Sequence, residues 1–282
     1  FQDSRRLAVP ACRLGGVRQS VSNRRDIGYW RTRALSRALR FVDRLSHRCL
    51  VNSEAVKRSV IEHEHYPHDK ITVIYNGLWE QEKAPSIDVT KASLGFDHDC
   101  AVVGIVANLR PVKRIDRFIE MAAIVAAEVP RTRFLIIGRG DLEPALREQV
   151  SRLCLDQHVV FLGQVSNVAG HLALCDVGVL TSESEGLSNA LIEYAASGVP
   201  AVAFTTGGNP EVIQDAFTGF LAPNGDTPAL AGKVVALLSD NELRQQMARR
   251  SRERIAKRFS PDKIMRELIA FWDAISLDAK RR

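Results

Sequence analysis

From residue 101 onward, short apolar runs alternate with longer stretches in which apolar positions recur every three or four residues. The runs at 101–107, 133–138, 159–163, 177–181, 200–204 and 219–222 read as strands. The stretches between them read as helices, for example Ile115–Ala127 and Leu142–Leu153. Alternation of this kind predicts an α/β architecture with a parallel sheet and helices on both faces. Phe259-Ser-Pro261 then breaks the pattern, and Ile264–Ile275 reads as an amphipathic helix with Leu268, Ile269, Phe271 and Trp272 on its apolar side.

Residues 1–88 read as the closing part of an earlier α/β domain. A basic helix is expected over Trp30–Arg48 and a short strand over Cys49–Ser53, with Ser53 as the cap of a helix reaching Val60. A last strand is expected over Lys70–Gly77, and residues 78–100, with Pro85 and several charges, read as a linker. There is no internal repeat and no low-complexity tract.

Composition narrows this picture. At 282 residues the chain holds one large or two ordinary domains. No run approaches the ~20 apolar residues that span a bilayer. The chain starts at Phe1 without the basic start and apolar block of a signal peptide, which reads as a break in a longer sequence. Cys12, Cys49, Cys100, Cys154 and Cys175 are scattered, with no C-x-x-C pair. That argues against a disulfide framework or a zinc site and fits a reducing, cytoplasmic setting.

The net charge of +6 is uneven. Residues 1–50 carry twelve Arg, no Lys and three Asp, for +9, and the remainder nets −3. Arg31, Arg33, Arg37, Arg40, Arg44 and Arg48 recur at helical spacing, and a second basic stretch runs from Arg249 to Arg258. The first reading is a solvated face. The second is attraction to an anionic membrane surface, peripheral at the inner face of the membrane. Nucleic acid has no recognition motif in its favour.

The densest chemistry lies in Ser182-Glu-Ser-Glu-Gly-Leu-Ser-Asn-Ala-Leu-Ile-Glu193. The apolar run Asp176–Thr181 leads into a turn at Gly186, then into a helix carrying Leu191, Ile192, Ala195 and Ala196. Ser188 or Asn189 caps that helix and Gly198-Val-Pro200 closes it. Glu185 then sits at the carboxyl end of a strand, where open α/β sheets bind ligands, and Glu193 lies inside the helix. N–H groups at a helix start seat phosphate, and a nearby carboxylate accepts hydrogen bonds from sugar hydroxyls. The combination suits a phosphorylated, hydroxyl-rich ligand such as a nucleotide sugar.

Arg110 and Lys113 follow another strand end, where two cations can neutralise a diphosphate leaving group. Gly138-Arg-Gly140 follows Phe134-Leu-Ile-Ile and reads as a tight strand-to-helix turn near the ligand. A dinucleotide fingerprint would need a glycine at 143, where Glu stands, so a nicotinamide dehydrogenase is a poor reading and no cofactor is expected. His63, His65 and His68 are interrupted by Pro67 and read as a polar surface turn; no metal site is expected.

Five segments in order carry a resemblance: Val102–Lys113, Phe134–Gly140, Val160–Gly163, Glu185–Glu193 and Gly207-Gly-Asn-Pro-Glu211. The chain resembles the family 4 retaining glycosyltransferases, over nearly its whole length and most strongly from about Val102 to Pro223. The resemblance implies a GT-B fold of two Rossmann-like domains with parallel sheets, the first only partly present. It implies residues 1–88 as the end of the acceptor-side domain, 89–258 as the donor domain, and 259–282 as a helix crossing back. It implies a hexosyltransferase moving a sugar with retention from a UDP- or GDP-sugar to a glycan or lipid-linked acceptor.

By the same resemblance Glu185 contacts the donor sugar, with Arg110 and Lys113 in the catalytic set. The amides of Gly186, Leu187 and Ser188, beside Asn189, hold the β-phosphate, and Glu193 takes the ribose hydroxyls. Gly138 lies near the ligand, and the loop holding Val165 lies where relatives hold the base. The family commonly has Gly-Arg-Leu followed four residues later by Lys; here Asn108 stands at that Arg position and Arg110 two later. The family's glycine-rich acceptor loop is not recognisable in residues 1–60. A non-catalytic nucleotide-sugar-binding fragment and a GT-B nucleotide-sugar epimerase remain alternative readings.

Overall fold

The computed structural model describes residues 5–17, 19–28, 42, 45–77 and 89–281. Contacts divide the chain into two compact units: residues 1–77, 185–187 and 259–282 in one, and residues 78–184 and 188–258 in the other.

In the first unit, helix α1 (Arg5–Leu14) precedes a three-stranded parallel sheet of β1 (Val21–Arg24), β2 (Arg48–Val51) and β3 (Ile71–Val73), in that order. Ser53 caps helix α2 (Glu54–Ser59): its hydroxyl accepts from the Val56 amide at 3.0 Å. A π-helical turn, Val60–Glu64, continues it and ends at His65 with φ 52°. Arg24 and Glu64 form a buried ion pair at 3.0 Å. The long helix α10 (Pro261–Arg281) buries Ile264, Phe271 and Ile275 in a cluster with Ile74.

Several expectations for this unit are corrected. The strand expected over Cys49–Ser53 is Arg48–Val51, because Asn52 and Ser53 leave the sheet to start α2. The strand expected over Lys70–Gly77 is Ile71–Val73: Lys70 closes a 3₁₀ turn, and β2 pairs only as far as Val51↔Val73. The short, polar β1 carries no apolar run to reveal it. The basic helix expected over Trp30–Arg48 falls almost wholly outside the described residues, as do Arg31, Arg33, Arg37, Arg40 and Arg44. Arg48 is a strand residue whose guanidinium bonds Asp278 at 3.0 Å. Residues 78–88 of the expected linker also lie outside the described residues.

The second unit is a six-stranded parallel sheet. Its strands are β4 (Ala101–Val106), β5 (Thr132–Ile137), β6 (Val159–Gly163), β7 (Val177–Leu180), β8 (Ala201–Phe204) and β9 (Gly219–Ala222). All six match the apolar runs within a residue or so. Between them run α3 (Ile115–Glu128), α4 (Glu143–Arg152), α5 (Val168–Leu172), α6 (Asn189–Ala196) and α7 (Asn209–Val212). Helices α8 (Thr227–Ser239) and α9 (Asn241–Arg258) follow the sheet. Fully buried Val103, Ile105, Phe118, Phe134, Val177 and Leu230 share one continuous core.

The spatial order is β6-β5-β4-β7-β8-β9. The chain winds one way from β4 and the other way from β7, so the order reverses between those two strands. Such a switch point opens a crevice at the carboxyl ends of the strands, where open α/β sheets bind ligands.

Candidate functional site

At the switch point the loops after β4 and β7 are bonded together. Thr181 Oγ1 donates to the Lys113 carbonyl at 3.0 Å, and the Glu183 amide donates to the Val112 carbonyl at 2.9 Å. Thr206 Oγ1 in the loop after β8 donates to the Glu183 carbonyl at 2.9 Å. Arg110 precedes a single 3₁₀ turn, Pro111–Lys113, and is exposed, while Lys113 is half-buried. Arg114 ends that turn in the left-handed region, φ 49°, and its guanidinium bonds Asp116 at 2.7 Å. That hydrogen bond, the leading influence, raises the pKa of Arg114 and keeps it cationic.

The loop after β5 presses on the loop after β4. Gly138 has φ 137°, and a Cβ there would collide with the Ala107 carbonyl. Its amide donates to the Gly163 carbonyl at 2.8 Å. Leu109 N–H donates to the Arg139 carbonyl at 3.1 Å, so Gly138-Arg-Gly140 directly supports the segment leading to Arg110. Val165 is half-buried in the loop after β6, two residues beyond Gly163.

Helix α6 starts as its sequence predicts. Ser188, with extended backbone, accepts from the Leu191 amide at 3.4 Å, and exposed Asn189 is the first helical residue. The helix buries Leu191, Ile192, Tyr194 and Ala195. Glu193 is half-buried, and burial, which disfavours the charged form, raises its pKa. The helix closes at Gly198, φ 72°, whose amide donates to the Ala195 carbonyl at 3.1 Å. Glu185, Gly186 and Leu187 are buried and group with the first unit, where Ser53 Oγ donates to the Gly186 carbonyl at 2.8 Å. The other seven expected site residues, Arg110, Lys113, Gly138, Val165, Ser188, Asn189 and Glu193, belong to the second unit.

The second basic stretch keeps an exposed face, with Arg249, Arg252 and Lys257 at the surface, while some of its arginines also have specific partners. Arg252 donates to the Ser197 carbonyl at 3.3 Å, and Arg254 donates to the Glu211 and Val212 carbonyls at 3.1 Å each. These cations satisfy carbonyls at the ends of α6 and α7, as basic groups do at helix C-termini. Arg250 lies over the Phe217 ring at 4.5 Å. His63, His65 and His68 are exposed, and among the described residues no group of three or more His, Cys, Asp or Glu is placed to hold a metal ion. No helix among the described residues is long and apolar enough to cross a membrane.

Tyr194 carries no site signal in the sequence, where it stands among apolar helix positions. It is fully buried, and its hydroxyl accepts from the Val106 amide at 2.7 Å and donates to the Val179 carbonyl at 3.2 Å. The signal that can find it is Gly178, an isolated glycine inside an apolar strand, which marks a close approach.

Comparison with known proteins agrees with this architecture. The N-acetyl-alpha-D-glucosaminyl L-malate synthase of Bacillus anthracis is 32% identical over 231 residues, which is 80% of this chain and 60% of that protein. The putative glycosyltransferase EpsD of Bacillus subtilis is 30% identical, over 67% of this chain and 49% of its own. The chain thus spans about half to three-fifths of the length of these relatives. Among solved structures, Anabaena HepE in complex with UDP and glucose superposes with a TM-score of 0.89 at 23% identity, covering 97% of this chain and 76% of that one. That likeness shows the fold, GT-B. Residues 11–79 match the family described as Glycosyltransferase Family 4. With residues 86–254 matching the family described as glycosyl transferases group 1, the chain belongs to that glycosyltransferase family.

Proposed function

We propose that the second unit binds a nucleoside diphosphate sugar, UDP- or GDP-linked, and that the whole protein transfers its hexose with retention to a glycan or lipid-linked acceptor. The observation that carries the reading is the bonding of the β4 and β7 loops at the switch point, through Thr181 and Lys113 and through Glu183 and Val112. It fixes Lys113 in the crevice region that open parallel sheets use for ligands. Arg110 and Lys113 supply positive charge for a diphosphate, and the capped start of α6 supplies amide donors near Ser188 and Asn189. Glu193, half-buried one turn further along, accepts from ribose hydroxyls; Glu185 serves the donor sugar in the full protein.

One relative is named an N-acetyl-alpha-D-glucosaminyl L-malate synthase and the other a putative glycosyltransferase, and a structural neighbour was solved with UDP and glucose, which supports a nucleotide-sugar donor. The test is a thermal-shift screen with UDP, GDP, ADP and their sugars. Ligand at ~100 times its Kd is expected to add roughly 2.7 kcal/mol to the stability of the unit that binds it. Silence with every nucleoside diphosphate at millimolar concentration removes the donor site.

A further inference from the structure

The last register pair between β4 and β7 is Gly104↔Gly178, although both strands continue two residues further, to Val106 and Leu180. Continuing that register would bond the Val106 amide directly to the Val179 carbonyl, as parallel ladders do. The hydroxyl of Tyr194 stands between those two groups instead. It accepts from Val106 N–H at 2.7 Å and donates to Val179 C=O at 3.2 Å. The sheet is therefore parted at the switch point by one inserted phenol.

The sequence makes room for it. A Cβ on Gly178 would stand 2.6 Å from Cδ2 of the Tyr194 ring, and a Cβ on Gly104 would stand 2.6 Å from Cys175 Sγ. Two opposed glycines thus clear one face of the sheet, so that the ring and the thiol lie flat against backbone. Tyr194 is wholly buried and follows Glu193 on a helix of only eight residues. A rigid ring anchored at both strand ends fixes the rotation of α6 and the direction of the neighbouring side chain.

We propose that Tyr194 is a positioning residue: wedged between β4 and β7, it holds Glu193 in the orientation that recognises the ribose of the donor nucleotide. The inference rests on the nucleotide-binding reading above. A residue that merely supports the fold would weaken all ligands alike on removal. A residue that aims Glu193 would erase the distinction between a ribose and a deoxyribose.

The experiment measures the affinities of UDP and 2′-deoxy-UDP, or of GDP and 2′-deoxy-GDP if the screen selects guanine, for the parent and for Tyr194→Phe. The parent is expected to favour the ribonucleotide by about tenfold, the size of one hydrogen bond to a charged group. In Tyr194→Phe the ratio is expected to approach one. Gly178→Ala, which pushes the ring while leaving its hydroxyl, is expected to lower the ratio too, and it carries the test if the phenylalanine variant does not fold. A lower melting temperature with the parent's ratio intact overturns the inference, as does a parent that binds without preferring the ribonucleotide. A parent that binds no nucleoside diphosphate overturns the nucleotide reading itself.

Discussion

Thr181 Oγ1 donates to the carbonyl of Lys113 at 3.0 Å, so the residue just after β7 holds the backbone of the cation that follows β4. Thr181 is fully buried, and no water can replace that bond easily. Two hydrogen bonds, this one and Glu183 N–H to Val112 C=O, bridge the loops beyond the carboxyl ends of β4 and β7.

Thr181→Val keeps the shape and removes the donor. It is expected to cost about 1–3 kcal/mol of stability, because the Lys113 carbonyl loses a buried partner. It is also expected to weaken nucleoside diphosphate binding several-fold by loosening Lys113. Denaturant unfolding and isothermal titration measure the two effects. Full retention of affinity would separate Thr181 from the site.

Glu193 yields a pH prediction. Burial raises its pKa in the folded chain, so protonation is easier there than in the unfolded chain. Its contribution to stability is fully present below the ordinary carboxylate pKa of about 4.3 and is lost as pH rises through the raised folded value. Glu193→Gln is neutral throughout. Relative to the parent it is expected to gain thermal stability at neutral pH, with the gap closing on acidification. The same substitution is expected to weaken ribose binding, since the carboxylate is the stronger acceptor. For the parent, nucleotide affinity falls as pH drops through the raised pKa. Melting curves and titrations across about pH 5 to 8 follow both. A Glu193→Gln variant that binds as tightly as the parent at neutral pH would exclude a role for the charge.

The second unit was the legible part of the chain. Its strands are apolar on both faces, so β4 through β9 appear as plain runs, and glycine, proline and Ser188 mark where α6 begins and ends. Unit one was harder to read. Its strands hold three or four residues, and β1, Val-Ser-Asn-Arg, has only one apolar residue, Val21, with Ser22 and Arg24 buried among polar partners. Ser22 Oγ lies 3.4 Å from Ser46 Oγ, which lies 3.0 Å from the Tyr66 hydroxyl. A long-range network of this kind leaves no periodic trace. Tyr194 was hidden for a related reason: an aromatic in an apolar helix face reads as core, and only the sheet it parts gives it a second task.

Gly138→Ala tests the support of the cation loop. The position has φ 137°, which L side chains rarely adopt, and a methyl there would strike the Ala107 carbonyl. Strain and collision together are expected to cost about 2–4 kcal/mol. Chemical denaturation checks this. A variant as stable as the parent would show that the 107–109 segment moves aside freely.

The buried pair Arg24–Glu64 gives the last prediction, in the first unit. The two side chains meet at 3.0 Å and are 2% and 3% exposed. Removing one partner of a buried ion pair typically costs about 3–5 kcal/mol. Arg24→Met is therefore expected to destabilise this unit, because the buried Glu64 carboxylate then loses its ion pair with Arg24. Arg24→Met with Glu64→Leu removes both charges and keeps the volumes roughly matched. It is expected to recover most of the loss, since an apolar pair avoids the desolvation of two ions. Hydrogen exchange resolved to β1, β2 and α2 measures the effect within the unit, without assuming that the whole chain unfolds in one step. If the double variant is no better than Arg24→Met, then the pair's other contacts, and not its mutual charge, hold the π-helical turn against β1.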